Sequence, residues 1–273
     1  MKYKVLVGFV ISIILSMSLL CAYSEYLYPC SVDNKYGFCD ESRNIVIEPI
    51  WDYVSYFRDQ KTAIVGQLDE NGTLLMGIID ISGNVIIPSR YIIKEGEDEL
   101  FGGADGFYSV QDPETEYYGY YDIKNNYFCE PVYFDVDIRS RDAYGLLPVI
   151  DPVTYYQGLI YDRNGDTVFP CEYLECYPAN DGLSIAVSEE HYWILYASGE
   201  KMQIPDQFVP DNGFANHLVA AHNEEEDYYC LLNQNAEQVT FQHYSLIEFN
   251  QSLNRFEGKL NGNWETVFIE GHR

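Results

Sequence analysis

Basic residues are scarce in this chain: 16 Lys and Arg stand against 43 Asp and Glu in 273 residues, a formal charge of −27 at pH 7. A field of that sign repels nucleic acid and anionic membrane surfaces, so neither is expected as a partner. The usual marks of catalysis are missing too. There is no Gly-x-Ser-x-Gly elbow, no phosphate-binding glycine loop ending in Lys-Ser/Thr, and no Ser-x-Asp-x-Gly-x-Thr-Trp box. Without a Cys-x-x-Cys, neither a zinc knuckle nor a thioredoxin-like redox pair is supported. After residue 24 no stretch has the 3.6-residue apolar period of an ordinary helix. Histidine is sparse: His191, His217, His222, His243 and His272. The closest two, His217 and His222, are five residues apart, which on a strand points their rings to opposite faces.

What is present begins with a short export signal. Lys2 and Lys4 precede the apolar run Val5–Leu20, and Ala22-Tyr23-Ser24 offers small residues at the positions a signal peptidase reads. Residues 1–24 read as a signal peptide cut after Ser24, giving a secreted or cell-surface protein with no stable membrane span. Lipid anchoring at Cys21 and an uncleaved anchor are the alternatives. The mature chain, residues 25–273, keeps 14 basic and 43 acidic residues, a charge of −29. Its six cysteines, Cys30, Cys39, Cys129, Cys171, Cys176 and Cys230, either pair, with 15 connectivities open, or serve as small buried hydrophobes.

The dominant feature is internal repetition. "YGFCD-ESRNIVIEP" at 36–49 returns as "MGIID-ISGNVIIP" at 76–88, "YGYYD-IKNNYFCEP" at 118–131 and "QGLIYD-RNGDTVFP" at 157–170, with weaker copies from Tyr192 and Tyr229. The anchors Gly37, Gly77, Gly119, Gly158, Tyr192 and Tyr229 are spaced by 40, 42, 39, 34 and 37 residues. Each copy offers a strand, a turn rich in Gly, Asn or Ser, and a second strand closed by Pro49, Pro88, Pro131 or Pro170. An aromatic (Trp51, Tyr91, Tyr133, Tyr173) and a third apolar strand follow. Turn residues supply positive φ, and proline, lacking an N–H, fits where pairing ends. A unit of about 40 residues cannot bury its own apolar face, so copies must pack on one another.

These residues resemble the WG-repeat family, whose units read roughly Trp-Gly-aromatic-Ile-Asp, turn, Val-Ile-Pro, aromatic-Asp. The Trp-Gly pair is degraded here to Tyr-Gly, Met-Gly, Tyr-Gly and Gln-Gly. The resemblance covers about 36–268 and implies a bacterial, often exported, β-propeller-like scaffold more than an activity. The expected fold is one all-β domain over 25–273, propeller-like, with about six short β-meander units. They run 36–75, 76–117, 118–156, 157–191, 192–228 and 229–260, with a partial copy at 261–273. An open β-solenoid-like array is the alternative. For ring closure, the C-terminal strand is expected to pair with the strand around Tyr28–Ser31.

Three groups of residues could carry chemistry. Asp162, Asn164 and Asp166 form an Asp-x-Asn-x-Asp array of hard oxygens suited to calcium, although a full calcium loop would need a glycine and a glutamate further on that are absent. Asn164-Gly165 is also a hairpin signal, so a plain turn without any cofactor is the competing reading. Acidic runs at Glu95–Glu99 and Asp112–Glu116 could supply paired carboxylates for glycoside hydrolysis, or simply solvated loops. The post-proline aromatics could line a ligand surface, but recurrence in every copy favours packing. The resulting expectation is an exported binding or scaffold protein without catalysis, its partner a protein, peptide or glycan, preferably basic. The alternative is an extracellular hydrolase acting on polysaccharide or cell-wall material.

Overall fold

The computed structural model describes residues 26–57, 61–93 and 106–269. The signal-peptide segment with Cys21, the acidic run Glu95–Glu99 and His272 lie outside them. Two compact units divide the chain, Met1–Arg90 and Tyr91–Arg273.

In the first unit, β1 (Tyr28–Val32), β2 (Lys35–Cys39) and β3 (Ile45–Trp51) form one antiparallel meander. The next contains β4 (Tyr53–Val54), β5 (Thr62–Leu68), β6 (Leu74–Asp80) and β7 (Val85–Ile93). Their shared core is Phe38, Ile47, Trp51, Phe57, Ala63, Val65 and Ile79.

In the second unit the end of β7 pairs with β8 (Phe107–Gln111), which continues into β9 (Tyr118–Asp122) and β10 (Tyr127–Tyr133). Then follow β11 (Asp135–Val136), β12 (Leu146–Ile150), β13 (Gln157–Tyr161) and β14 (Thr167–Tyr173). A fifth meander is built from β15 (Glu175–Cys176), β16 (Leu183–Val187), β17 (Tyr192–Tyr196) and β18 (Lys201–Gln203). The sixth comprises β19 (Phe208–Pro210), β20 (Leu218–Asn223) and β21 (Tyr228–Asn233), and the last β22 (Ile247–Asn250), β23 (Arg255–Leu260) and β24 (Asn263–Thr266). Each successive pair of sheets in this unit closes over its own core. Phe107, Tyr120, Leu147 and Ile160 fill one, Leu159, Phe169, Ala186 and Leu195 the next, and Ile185, Ile194, Val219 and Leu232 the third. Burying one such side chain is worth about 1.5–3 kcal/mol.

The fold is thus all-β and propeller-like at the level of its units, as the repeat implied. The sheets, however, are out of phase with the sequence repeat. Each takes its short first strand and its apolar strand from one copy, then its glycine strand and proline strand from the next. The strand "TAIV" that ends the first copy pairs with the glycine strand of the second (Val65↔Gly77), and "LLPVI" pairs likewise with the fourth (Val149↔Gly158). Six and a fraction copies therefore yield seven meanders. The described part of the partial copy, 261–269, follows the same phase. Asn261 and Gly262, both at positive φ, make the two-residue turn of a hairpin (Leu260↔Asn263), with β24 paired to β23. Tyr28–Val32 pairs with β2 in a hairpin of its own. The expected pairing of the C-terminal strand with the strand around Tyr28–Ser31 is not among the strand pairs of the described residues.

The repeat glycines and prolines also act differently from the sequence expectation. The prolines do not end their strands: Pro49, Pro88, Pro131 and Pro170 lie within β3, β7, β10 and β14. They sit in a bulge. Tyr118 pairs with Tyr133 and Tyr120 with Cys129, so two steps on β9 face four on β10. The extra backbone folds over Gly119, where a Cβ would stand 2.2 Å from the Cys129 carbonyl oxygen. Gly37, Gly77 and Gly158 are covered by the Ile47, Ile87 and Phe169 carbonyls in the same way. Glycine here permits close approach of two backbones instead of forming a turn, and proline occupies bulge backbone that has no ladder bond to lose. The fifth copy confirms the coupling. Its glycine slot is held by Trp193 (facing Ala186), one residue beyond the expected Tyr192, and β17–β18 run without a register shift.

Of the six cysteines expected in the mature chain, Cys30 and Cys39 form a disulfide across the first hairpin. Cys129, Cys171, Cys176 and Cys230 are free thiols. Burial pushes Cys129 up to about 11, and Cys176 and Cys230 up to about 12. Native protein at pH 8 should accordingly react only slowly with a thiol reagent, because the thiolate is the nucleophile. Denaturation without reductant should release those four thiols, and a lower titre would show further pairing.

Candidate functional site

In the second unit two sets of connections come to one end of the third and fourth sheets: the loops entering the glycine strands β9 and β13, and the segment that follows the proline strand β10. There a groove of about 750 Å³ opens, entirely within the second unit. Its walls include Glu116, Tyr117 and Tyr118 from the β8–β9 loop, Phe134 to Arg139 after β10, and Tyr155 from the β12–β13 loop.

Two of these loops are copies of one another. Asp112-Pro113-Glu114-Thr115-Glu116-Tyr117 and Asp151-Pro152-Val153-Thr154-Tyr155-Tyr156 share the pattern Asp-Pro-x-Thr-x-Tyr. In each, an aspartate Oδ1 accepts the N–H groups two and three residues on and the threonine hydroxyl. The threonine Oγ1 then accepts the N–H of the final tyrosine. Those backbone N–H donors hold the Asp151 carboxyl below the usual carboxylate range. Each loop is thus braced by four hydrogen bonds of its own.

The mounted residues are unusual. The residue at the left-handed position of the equivalent loops elsewhere is Asp227 or Asn254, types that tolerate positive φ. In the two groove loops it is Glu116 (φ 61°) and Tyr155 (φ 60°). A bulky residue held there stores about 1–3 kcal/mol of strain, a pattern that concentrates at functional sites. Tyr155 meets Phe134 edge-on, ring centroids 4.9 Å apart, and both rings are about half exposed. Asp135 and Asp137 use their carboxylates to accept the N–H groups of Val136 and Arg139.

The residues singled out from sequence lie elsewhere. Asp162, Asn164 and Asp166 do occupy the β13–β14 turn, but their side chains diverge. Asp162 turns inward to Arg141 (Oδ2–Nη1 3.5 Å), while the Asn164 amide donates to Asp166. Burial, opposed by Arg141, raises the Asp162 carboxyl, and Asp122 adds to the rise. Among the described residues no group of three or more His, Cys, Asp and Glu side chains could hold a metal ion. His222 is next to Asp227 (3.1 Å) and His217 near Asp181 (3.8 Å), so they do not converge. Trp51, Tyr91 and Tyr173 are buried and Tyr133 half-buried, in packing positions. The groove itself was missed. Its signal was legible, since Asp112-Pro113 and Asp151-Pro152 recur at the same 39-residue interval as Gly119 and Gly158, but the first reads as a charge run on its own.

A chain of short antiparallel meanders of one repeated kind defines a β-repeat scaffold. Within it, residues 36–67 and 160–192 match the family model described as WG containing repeat, the family the repeat resembles. No curated protein matches. Among solved structures, the chain is similar to Hsv2 of Kluyveromyces marxianus (9% identity, 81% of this chain and 73% of that one, TM-score 0.39). It is also similar to Kluyveromyces lactis Hsv2 (9%, 61% and 59%, TM-score 0.34), so it spans less than two thirds of that protein's length. Similarity extends to a putative TolB from Agrobacterium tumefaciens (10%, 89% and 76%, TM-score 0.22). No helix among the described residues is long and apolar enough to cross a membrane.

Proposed function

We propose that this is an exported binding protein that holds its ligand in the groove between the third and fourth meanders and does not transform it. The observation that carries this is the pair of Asp-Pro-x-Thr-x-Tyr mounts, which hold Glu116 and Tyr155 at a backbone angle their side chains disfavour and aim them into one groove. The fold needs neither residue there, because Asp227 and Asn254 hold the corresponding position in their own loops and are of types that tolerate it. The buried, raised carboxyl of Asp162 is committed to Arg141 and does not line the groove, so it offers no general acid to a ligand bound there. Export rests on Lys2, Lys4, the apolar run to Leu20 and Ala22-x-Ser24.

Incubation of the purified protein with glycans, cell-wall fragments and peptides, followed by mass analysis, tests the reading. Saturable retention without product is expected. Product formation that a single carboxylate substitution abolishes would establish the hydrolase instead.

A further inference from the structure

We infer that the groove recognises lysine- or arginine-bearing segments of a peptide chain, an assignment that rests on the binding reading above and specifies its ligand. The chain's own cations show which chemistry its surfaces favour. Arg141 stacks over Phe107 at 4.4 Å while paired to Asp162, and Lys201 lies over Trp193 at 4.9 Å while paired to Glu172. In both places an aromatic face and a carboxylate together hold one cation, a combination whose attraction grows when the pair is partly desolvated.

The groove assembles the same parts facing outward. Phe134 and Tyr155 present half-exposed rings, and Glu116, Asp135 and Asp137 bring three carboxylates against the single cation Arg139. The carboxylates of Asp135 and Asp137 are anchored by backbone N–H groups and so are fixed in place before a ligand arrives, which lowers the ordering cost of binding. The surrounding field, −27 over the chain, steers a cationic partner toward this surface and an acidic one away. A groove of about 750 Å³ walled by two loops and the segment after β10 takes in side chains of an extended segment more readily than the surface of a compact folded partner.

The test uses the full mature protein and three fluorescent probes: a Lys/Arg-rich peptide, its glutamate counterpart, and a neutral chito-oligosaccharide. The cationic peptide should bind saturably, more weakly as salt rises, and the acidic peptide should not bind. Tyr155→Gly removes the ring while relieving the positive-φ strain, so the fold is kept, and it should weaken cationic-peptide binding about tenfold. Glu116→Gln should weaken it and flatten its salt dependence, whereas Glu225→Gln, an acid on another loop, should change neither. Melting curves identify any variant that has lost its fold. Cationic-peptide affinity indifferent to both groove variants would mean that the general field binds it, overturning the inference. Selective capture of the oligosaccharide, lost in Tyr155→Gly, would overturn the cation assignment and leave the binding reading standing. Retention of none of the three probes would overturn the assignment, and failure across the wider panel as well would bring down the binding reading.

Discussion

Gly119→Ala should destabilise the protein by about 3 kcal/mol or more, enough to leave much of it insoluble. The added methyl would stand 2.2 Å from the Cys129 carbonyl oxygen, with the Glu130 backbone at 2.7 Å, so main chain and not a pliable side chain must move. Moving it means undoing the bulge that seats Pro131 and repacking Cys129 in a core where Tyr120 is fully buried. Gly199→Ala is the control. It also replaces a glycine in a hairpin, but its Cβ would meet nothing within 4 Å and only its positive φ is disturbed. That change should cost about 1 kcal/mol. Chemical denaturation of the two variants side by side separates crowding from backbone angle. Equal, small losses would mean that the bulge relaxes easily and that glycine there is dispensable.

The second large effect is expected at Arg141. Removing its guanidinium by Arg141→Ala leaves the Asp162 carboxylate in a largely buried site beside Asp122 with only the weaker attraction of Arg163. Breaking such a pair costs about 3 kcal/mol, mostly as the penalty of the stranded charge. The pH dependence follows from the direction of the shift. Burial places the folded-state pKa of Asp162 above its unfolded value, and loss of Arg141 raises it further. The ionised form is therefore what the folded state resists, and the penalty is full above that raised folded value. As pH falls through that raised value and then below the unfolded one, about 4, the carboxyl becomes neutral in both states and the gap between variant and parent closes. Asp162→Asn in the Arg141→Ala background should recover much of the loss at neutral pH. A gap that stays constant with pH would show that the lost contact with Phe107, not the charge, is responsible.

How much of this was legible beforehand depended on whether a feature repeats. The strand–turn–strand order was readable because alternation of apolar residues, an Asx or glycine turn and a proline recur at one interval. Asp40 and Asp80 illustrate the turn: each accepts N–H groups of its own hairpin, Asn44 in one case and Ser82 and Asn84 in the other. Phase was not readable. A hydrogen-bonded sheet and a sequence repeat can have the same period and different starting points, and nothing local in "TAIV" says that its partner is Gly77 and not Gly37. The role of the anchor glycines was out of reach for a related reason. A mid-strand glycine reads as permissive φ, whereas its cause, a carbonyl on a strand ten residues on, is tertiary. The groove residues Phe134 and Tyr155 are not in contact by any sequence spacing rule. They meet because β11 and β12 return the chain to the same end of the sheets.

Tyrosine hydroxyls tie the third sheet to the fourth, the fourth to the fifth and the fifth to the sixth. Tyr120 donates to the Asp162 carbonyl, Tyr161 to that of Ala197 and Tyr196 to that of Gln234. In every case the donor is a side chain and the acceptor is main chain. A tie of this form asks nothing of the neighbour's sequence, because every turn presents a carbonyl whatever residues compose it. A duplicated unit would arrive already carrying its own fastener and find a receptor in whichever unit it landed beside. Lengthening or shortening such an array by gene duplication needs no matching second substitution, and individual copies are left free to diverge, as those from Tyr192 onward have done, while the attachment between them survives.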